Sequence, residues 1–83
     1  MSRTVEWTDL ARSDIKRLDQ GSQKRLLDTI HRFAETGHGD IRKLHGVENE
    51  YRLRLGNWRV LFAFTSAGTI RILRVLPRGS AYR

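Results

Sequence analysis

The 83-residue chain has no cysteine, only one proline, and no apolar run near the ~20 residues needed to span a bilayer. Without cysteine there is no disulfide framework and no thiolate metal site. Without a long apolar run there is no spanning helix in this sequence, and no membrane role is expected. The opening stretch, Met1 to Glu6, lacks the apolar segment of a secretory signal. The expected location is therefore the cytoplasm. Pro77 is the sole proline, and no Gly/Ser-rich tract or repeat interrupts the chain. The expectation is a single domain over residues 1–83. Three histidines, His31, His38 and His45, stand seven apart on what read as a helix and two loop positions. With no fourth ligand near them, neither a metal nor any other cofactor is expected.

Acidic residues are scarce in one half only. Up to Asp40, seven bases balance seven acids. From Ile41 onward, nine bases face two acids, Glu48 and Glu50, so the whole net charge of +7 lies there. Eight of those nine bases are arginine, the side chain suited to bidentate phosphate contact. Such asymmetry points to a polyanion partner more readily than to a merely solvated surface.

The apolar pattern changes period midway. Thr4–Trp7 is β-prone and reads as a first strand. Thr8 is placed to cap a helix whose apolar stripe is Leu10, Ala11, Ile15 and Leu18. Gly21 is expected in the following turn and Ser22 at the next cap. Leu26, Leu27, Ile30, Phe33 and Ala34 then recur at helical spacing up to Gly37. Residues 37–49 read as an irregular connection. Beyond it Tyr51, Leu53 and Leu55 alternate with Arg52 and Arg54, and Trp58, Val60, Phe62 and Phe64 alternate on the next run, as strands do. Gly56-Asn57 between them is a two-residue hairpin signal. Ser66-Ala67-Gly68 is a turn, and Ile70–Leu76 a third strand. The expected fold is α+β: a first strand, an α-helical hairpin, then a three-stranded antiparallel meander, forming one sheet with the helices on one face.

The hairpin fixes a register. A two-residue loop sets Leu55 opposite Trp58, Arg54 opposite Arg59, Leu53 opposite Val60 and Arg52 opposite Leu61, and opposed residues share a face. Leu53, Leu55, Trp58 and Val60 are then core-facing, with Tyr51 on the same side by parity. Arg52, Arg54 and Arg59 gather on the other face. Like charges set opposite one another destabilise a sheet, so an anion is expected to neutralise them. Pairing Phe64 with Ile70 puts Ile72 in the core, Arg71, Leu73 and Val75 on the arginine side, and Val75 opposite Arg59. The apolar residues Leu61, Ala63, Leu73 and Val75 beside the arginines also suit burial against a partner chain.

Lys43-Leu44-His45-Gly46, the run Tyr51-Arg52-Leu53-Arg54-Leu55-Gly56-Asn57-Trp58-Arg59-Val60-Leu61-Phe62, and the tail from Ile72 to Tyr82 resemble the signature of RelE/ParE-superfamily toxins of type II toxin–antitoxin systems. The resemblance covers nearly the whole chain. It implies a toxin neutralised by a cognate antitoxin protein. RelE-type members cleave mRNA in the ribosomal A site, and ParE-type members poison DNA gyrase by binding. Basic residues before the hairpin, an arginine after it, and an Arg and a Tyr near the C-terminus mark the RelE branch. Arg52, Arg54, Arg59, Arg78 and Tyr82 match those positions. The implied function is a ribosome-dependent endoribonuclease acting on mRNA by 2′-OH attack, with ParE-type gyrase inhibition as the alternative. The implied catalytic residues are Arg59, Arg78 and Tyr82; Arg52, Arg54, Lys43 and Arg74 are the implied RNA-phosphate contacts. A tyrosine is a poor base at neutral pH, but clustered guanidiniums favour its phenolate, so one arginine patch would both grip phosphate and activate Tyr82. His45 is the competing acid or base.

Overall fold

The computed structural model describes residues 2–44, 46, 49–66 and 68–78. Its elements are β1 (Thr4–Trp7), α1 (Asp9–Lys16), α2 (Gln20–Thr36), β2 (Asp40–Lys43), β3 (Glu50–Leu55), β4 (Trp58–Ser66) and β5 (Thr69–Pro77). The five strands form one sheet in the order β1-β5-β4-β3-β2, in which β1 runs parallel to β5 and every other pair is antiparallel.

The α+β layout expected from sequence holds, with one strand more. Residues 40–43, read as irregular, form edge strand β2 against β3, with Ile41 opposite Leu53 and Arg42 opposite Arg52. Only one residue of this four-residue strand is apolar, so its own pattern carries no signal; β3 supplies the hydrogen bonds that make it a strand. The close approach begins at Gly39, where a β-carbon would lie 2.8 Å from Leu53 Cδ1.

The helix boundaries follow capping chemistry. The Thr8 hydroxyl accepts from Ala11 N–H and opens α1 as expected. The second helix starts earlier than expected. Asp19, not Ser22, is its N-cap: its carboxylate accepts from both the backbone N–H and the hydroxyl of Ser22, and Gly21 lies inside the first turn. A carboxylate at the positive end of a helix outcompetes a hydroxyl one turn later. Gly37, at φ 78°, closes α2 in the left-handed conformation that glycine adopts without strain.

The helices cover one face of the sheet. Ala11, Leu26, Ile30, Phe33 and Ala34 from the helices meet Leu53, Val60, Phe62, Ile70, Ile72 and Val75 from the strands in the core. Phe62 is its hub, with ring centroids 5.1 Å from Phe33, 5.7 Å from Tyr51 and 5.6 Å from Phe64. Trp7 and Trp58 are half-buried against its rim.

The last strand departs from simple alternation. Phe62 pairs with Ile72, but Leu61 pairs with Arg74, so Leu73 is an extra residue in a β-bulge. Beyond it parity is inverted. Val75 faces the core opposite Val60, and Leu76 takes the place opposite Arg59 that Val75 was expected to fill. Side chains outside β5 hold the bulge. Thr8 Oγ1 donates to the carbonyls of Ile72 and Leu73, and the Asp14 carboxylate accepts the Val75 N–H at 2.9 Å. Because β1 stops opposite Ile72, these groups on and before α1 satisfy the strand edge that β1 leaves uncovered.

Candidate functional site

The Gly56-Asn57 turn produces the register read from sequence, with Gly56 at φ 55°. On the face away from the helices the sheet therefore carries successive rungs. The rung nearest the turn holds Asp40, Arg54, Arg59 and Leu76. The next holds Arg42, Arg52, Leu61 and Arg74. The third holds Glu50, Ala63, Arg71 and Glu6, where Arg71 is paired with Glu6 at 3.4 Å. Positive charge is thus concentrated in two rungs beside the hairpin.

Arg59 is the most enclosed of these cations, at 2% exposure. Its Nη1 donates to the carbonyls of Gly56 and Trp58, each at 3.0 Å, while its Nε is buried with no hydrogen-bond partner among the described residues. Burial first, then the charges of Arg54, Arg52 and Arg78, hold its pKa below the ordinary guanidinium value; Asp40 opposes them weakly. Even so lowered, a guanidinium stays protonated at neutral pH. The site therefore contains a fixed, partly desolvated cation surrounded by like charges, an arrangement relieved by an incoming anion. Arg78 is brought alongside by its backbone, whose N–H donates to Asn57 O at 2.7 Å. Arg54 is exposed, whereas Arg52 is buried at 8%.

The structure thus brings together Arg52, Arg54, Arg59 and Arg78 of the residues singled out by sequence. It adds Arg42, exposed and directly opposite Arg52. Sequence reading missed Arg42 because residues 37–49 were assigned no strand, hence no face. Lys43, one residue on, pairs with Tyr51 and belongs by parity to the helix side of the sheet edge. Arg74 shares the arginine face in register, but its Nε and Nη2 donate to Asp14 at 2.8 and 3.0 Å. This pair raises the Arg74 pKa. For Asp14, burial pushes the pKa up, and the hydrogen bonds from Arg74 and Val75 N–H, with the charges of Arg74 and Arg17, outweigh it and hold the carboxyl below its ordinary value. Tyr82 and His45 lie outside the described residues. His31 and His38 sit in separate cavities, one beside Arg3 and Trp7, the other beside Arg25 and Arg32. Among the described residues no three His, Asp or Glu gather as a metal site, and no helix is long and apolar enough to cross a membrane.

Comparisons with known proteins fit this geometry. The family model for the ParE toxin of type II toxin–antitoxin systems (parDE) matches residues 5–82. A chain of the RelB–RelE antitoxin–toxin complex from Methanococcus jannaschii superposes with a TM-score of 0.76 at 28% identity, covering 93% of this chain and 94% of that one. A chain of the archaeal RelE–RelB complex from Pyrococcus horikoshii OT3 gives 0.78 at 26% identity, covering 95% and 98%. A chain of the toxin–antitoxin complex RelBE2 from Mycobacterium tuberculosis gives 0.73 at 25% identity, covering 94% and 100%. A search of curated proteins finds no match.

Proposed function

The chain belongs to the ParE toxin family of type II toxin–antitoxin systems, and we propose that its arginine face is the active surface of an mRNA endoribonuclease that works on the ribosome. The observation carrying this reading is the buried, like-charge-crowded guanidinium of Arg59 beside Arg54, Arg52 and Arg78. A surface that acted only by rimming a protein contact would not need a cation desolvated to this degree.

The chemistry is an internal transfer. The ribose 2′-oxygen attacks the adjacent phosphorus, the bond to the 5′-oxygen of the next nucleotide breaks, and a 2′,3′-cyclic phosphate and a free 5′-hydroxyl result. Three tasks follow. Arg59, held by the turn carbonyls, stabilises the extra negative charge on the phosphorane through its fixed positive charge. Tyr82, its phenolate favoured by the cluster, takes the 2′-OH proton. Arg78, anchored through Asn57 O, hydrogen-bonds the leaving 5′-oxygen, which takes its proton from water. Arg52 and Arg54, joined by Arg42, grip the flanking backbone, and Lys43 and Arg74 lie at the margins of that grip. No cofactor takes part in this scheme. Ribosomal positioning of the mRNA supplies the remaining rate through orientation.

The relatives solved as RelB–RelE complexes support a small antitoxin as partner of this chain; our reading puts it in the cytoplasm, over the arginine face and the half-buried Leu61, Ala63 and Leu76. The second reading, inhibition of DNA gyrase by binding alone, is favoured by the family model, which is named for ParE. Primer extension on cellular mRNA after induction tests the two. Discrete cuts within translated codons support the nuclease; intact mRNA with broken or oversupercoiled DNA sinks it in favour of the gyrase inhibitor.

A further inference from the structure

The hairpin turn has a second side. A cavity of about 520 Å3 opens between α2 and the start of β2, lined by Arg25, Asp28, Thr29, Arg32, His38 and Leu55 among others. A smaller cavity of about 160 Å3 adjoins it, lined by Ser22, Arg25, Leu55, Gly56, Asn57 and Trp58. The two share Arg25 and Leu55, so they form one groove running along α2 to the turn. Gly56, Asn57 and Trp58 at its end are the residues whose carbonyls hold Arg59 Nη1 and Arg78 N–H. The groove therefore meets the arginine cluster back to back across a two-residue turn.

Its lining has a definite chemistry. Arg25 and Arg32 are exposed and seven residues apart on α2, two turns or about 10 Å. Both belong to the same helix face and sit on one wall. Asp28 lies between them and offsets part of their charge, leaving the wall net positive. Leu55 and the half-buried Trp58 supply apolar and aromatic surface. Cations spaced over more than one nucleotide beside an aromatic platform are what a flexible single strand uses, with phosphates on the guanidiniums and bases on the ring.

We propose that the groove between α2 and the β3–β4 hairpin is a second RNA track, in which Arg25 and Arg32 hold phosphates of a single-stranded segment that passes round the hairpin from the arginine face. This rests on the nuclease reading for its direction, while its existence is measurable without cleavage. The aromatic ring of Trp58 at the end of the groove, a surface on which bases stack, favours a nucleic acid over an acidic peptide.

The probe is a single-stranded oligouridylate of about ten nucleotides, added to the purified chain with Trp7→Phe, which leaves Trp58 the sole tryptophan. Binding should quench Trp58 fluorescence. Arg25→Glu/Arg32→Glu should weaken affinity about tenfold or more, flatten the logarithmic salt dependence by about 1.4 units, and remove the quench. Arg54→Ala should weaken affinity yet keep the quench at saturation. Anisotropy of labelled oligonucleotide on the protein with both tryptophans gives the same slopes should Trp7→Phe disturb folding. Unchanged affinity, slope and quench in the charge-reversed protein overturn the track. So does loss of antitoxin binding with RNA affinity intact, which would assign the groove to a protein. Single-turnover cleavage of mRNA on ribosomes is run beside it: a wild type that binds the oligonucleotide in the groove without cutting mRNA sinks the nuclease reading and leaves the groove standing.

Discussion

Two corners of the sheet each contain an arginine network anchored on a buried group, Asp14 at one and Arg59 at the other, and they are built on opposite terms. At the α1 corner, Arg74 meets the buried carboxylate of Asp14, which also accepts the Val75 N–H. At the hairpin corner, Arg59 has two turn carbonyls for partners, and its charged neighbours are chiefly more arginines. A paired cation completes a fold. A cation crowded by its own kind costs stability and persists where something outside the chain supplies the missing charge. The contrast separates two groups of arginine that composition alone counts together.

The sharpest way to break this contrast is at the hairpin corner. Arg59→Ala and Tyr82→Phe should each lower single-turnover cleavage on programmed ribosomes by about 10²–10⁴-fold, through lost charge stabilisation and lost base catalysis respectively. Circular dichroism should show both folded. A near-wild-type rate for Tyr82→Phe would remove the tyrosine from the mechanism and make His45 the next residue to test.

Stability should respond in the reverse order. Asp14→Ala strands Arg74 and leaves a β5 amide unpaired, so urea denaturation should show a loss of about 2 kcal/mol. Arg59→Leu removes a charge that its neighbours repel, and its stability should stay within about 0.5 kcal/mol of wild type or rise above it. A large loss at Arg59 with none at Asp14 would invert the assignment of the two corners.

Acid titration sharpens the Asp14 side alone. Its folded-state pKa lies below the ordinary 3.8, so its contribution is full above about pH 4 and is lost as pH falls through the folded value. Asp14→Asn should flatten that part of the stability profile, and an unaltered acid limb would count against the clamp. The smallest effects belong to the exposed grip. Arg42→Ala and Arg54→Ala should each flatten the salt dependence of RNA binding by about 0.7 unit without unfolding the domain. An unchanged slope would point to a protein contact instead.

The hairpin corner was legible in the sequence because its information is local. Gly56-Asn57 fixes the turn, the turn fixes the register, and alternation does the rest, so the Arg54–Arg59 pairing followed from a dozen residues. The α1 corner was not. Nothing in Ile72-Leu73-Arg74-Val75-Leu76 marks a bulge: every residue but Arg74 is apolar, and there is no glycine. The extra residue is set by Thr8 and Asp14, some sixty positions away. Strand β2 escaped notice for a related reason, since its strand character belongs to β3, and with it went Arg42. Asp19 in place of Ser22 as the α2 cap was a choice between two acceptable oxygens three residues apart.

The parallel pairing of β1 with β5 has a consequence for the order in which the molecule is made. β1 is synthesised among the first residues, yet its hydrogen-bonding partner, from Thr69 to Ile72, emerges near the end of the described chain. Until then its edge is open, and the α1 groups that hold the Leu73 bulge have nothing to hold. Arg78 follows five residues after that bulge. Closure over so long a separation is slow relative to local helix and hairpin formation, so the helical pair and the β3–β4 hairpin can form on the nascent chain while the β5 side of the arginine cluster waits. The complete surface is thus assembled only once β5 reaches β1, some 65 positions later in synthesis than the strand it joins.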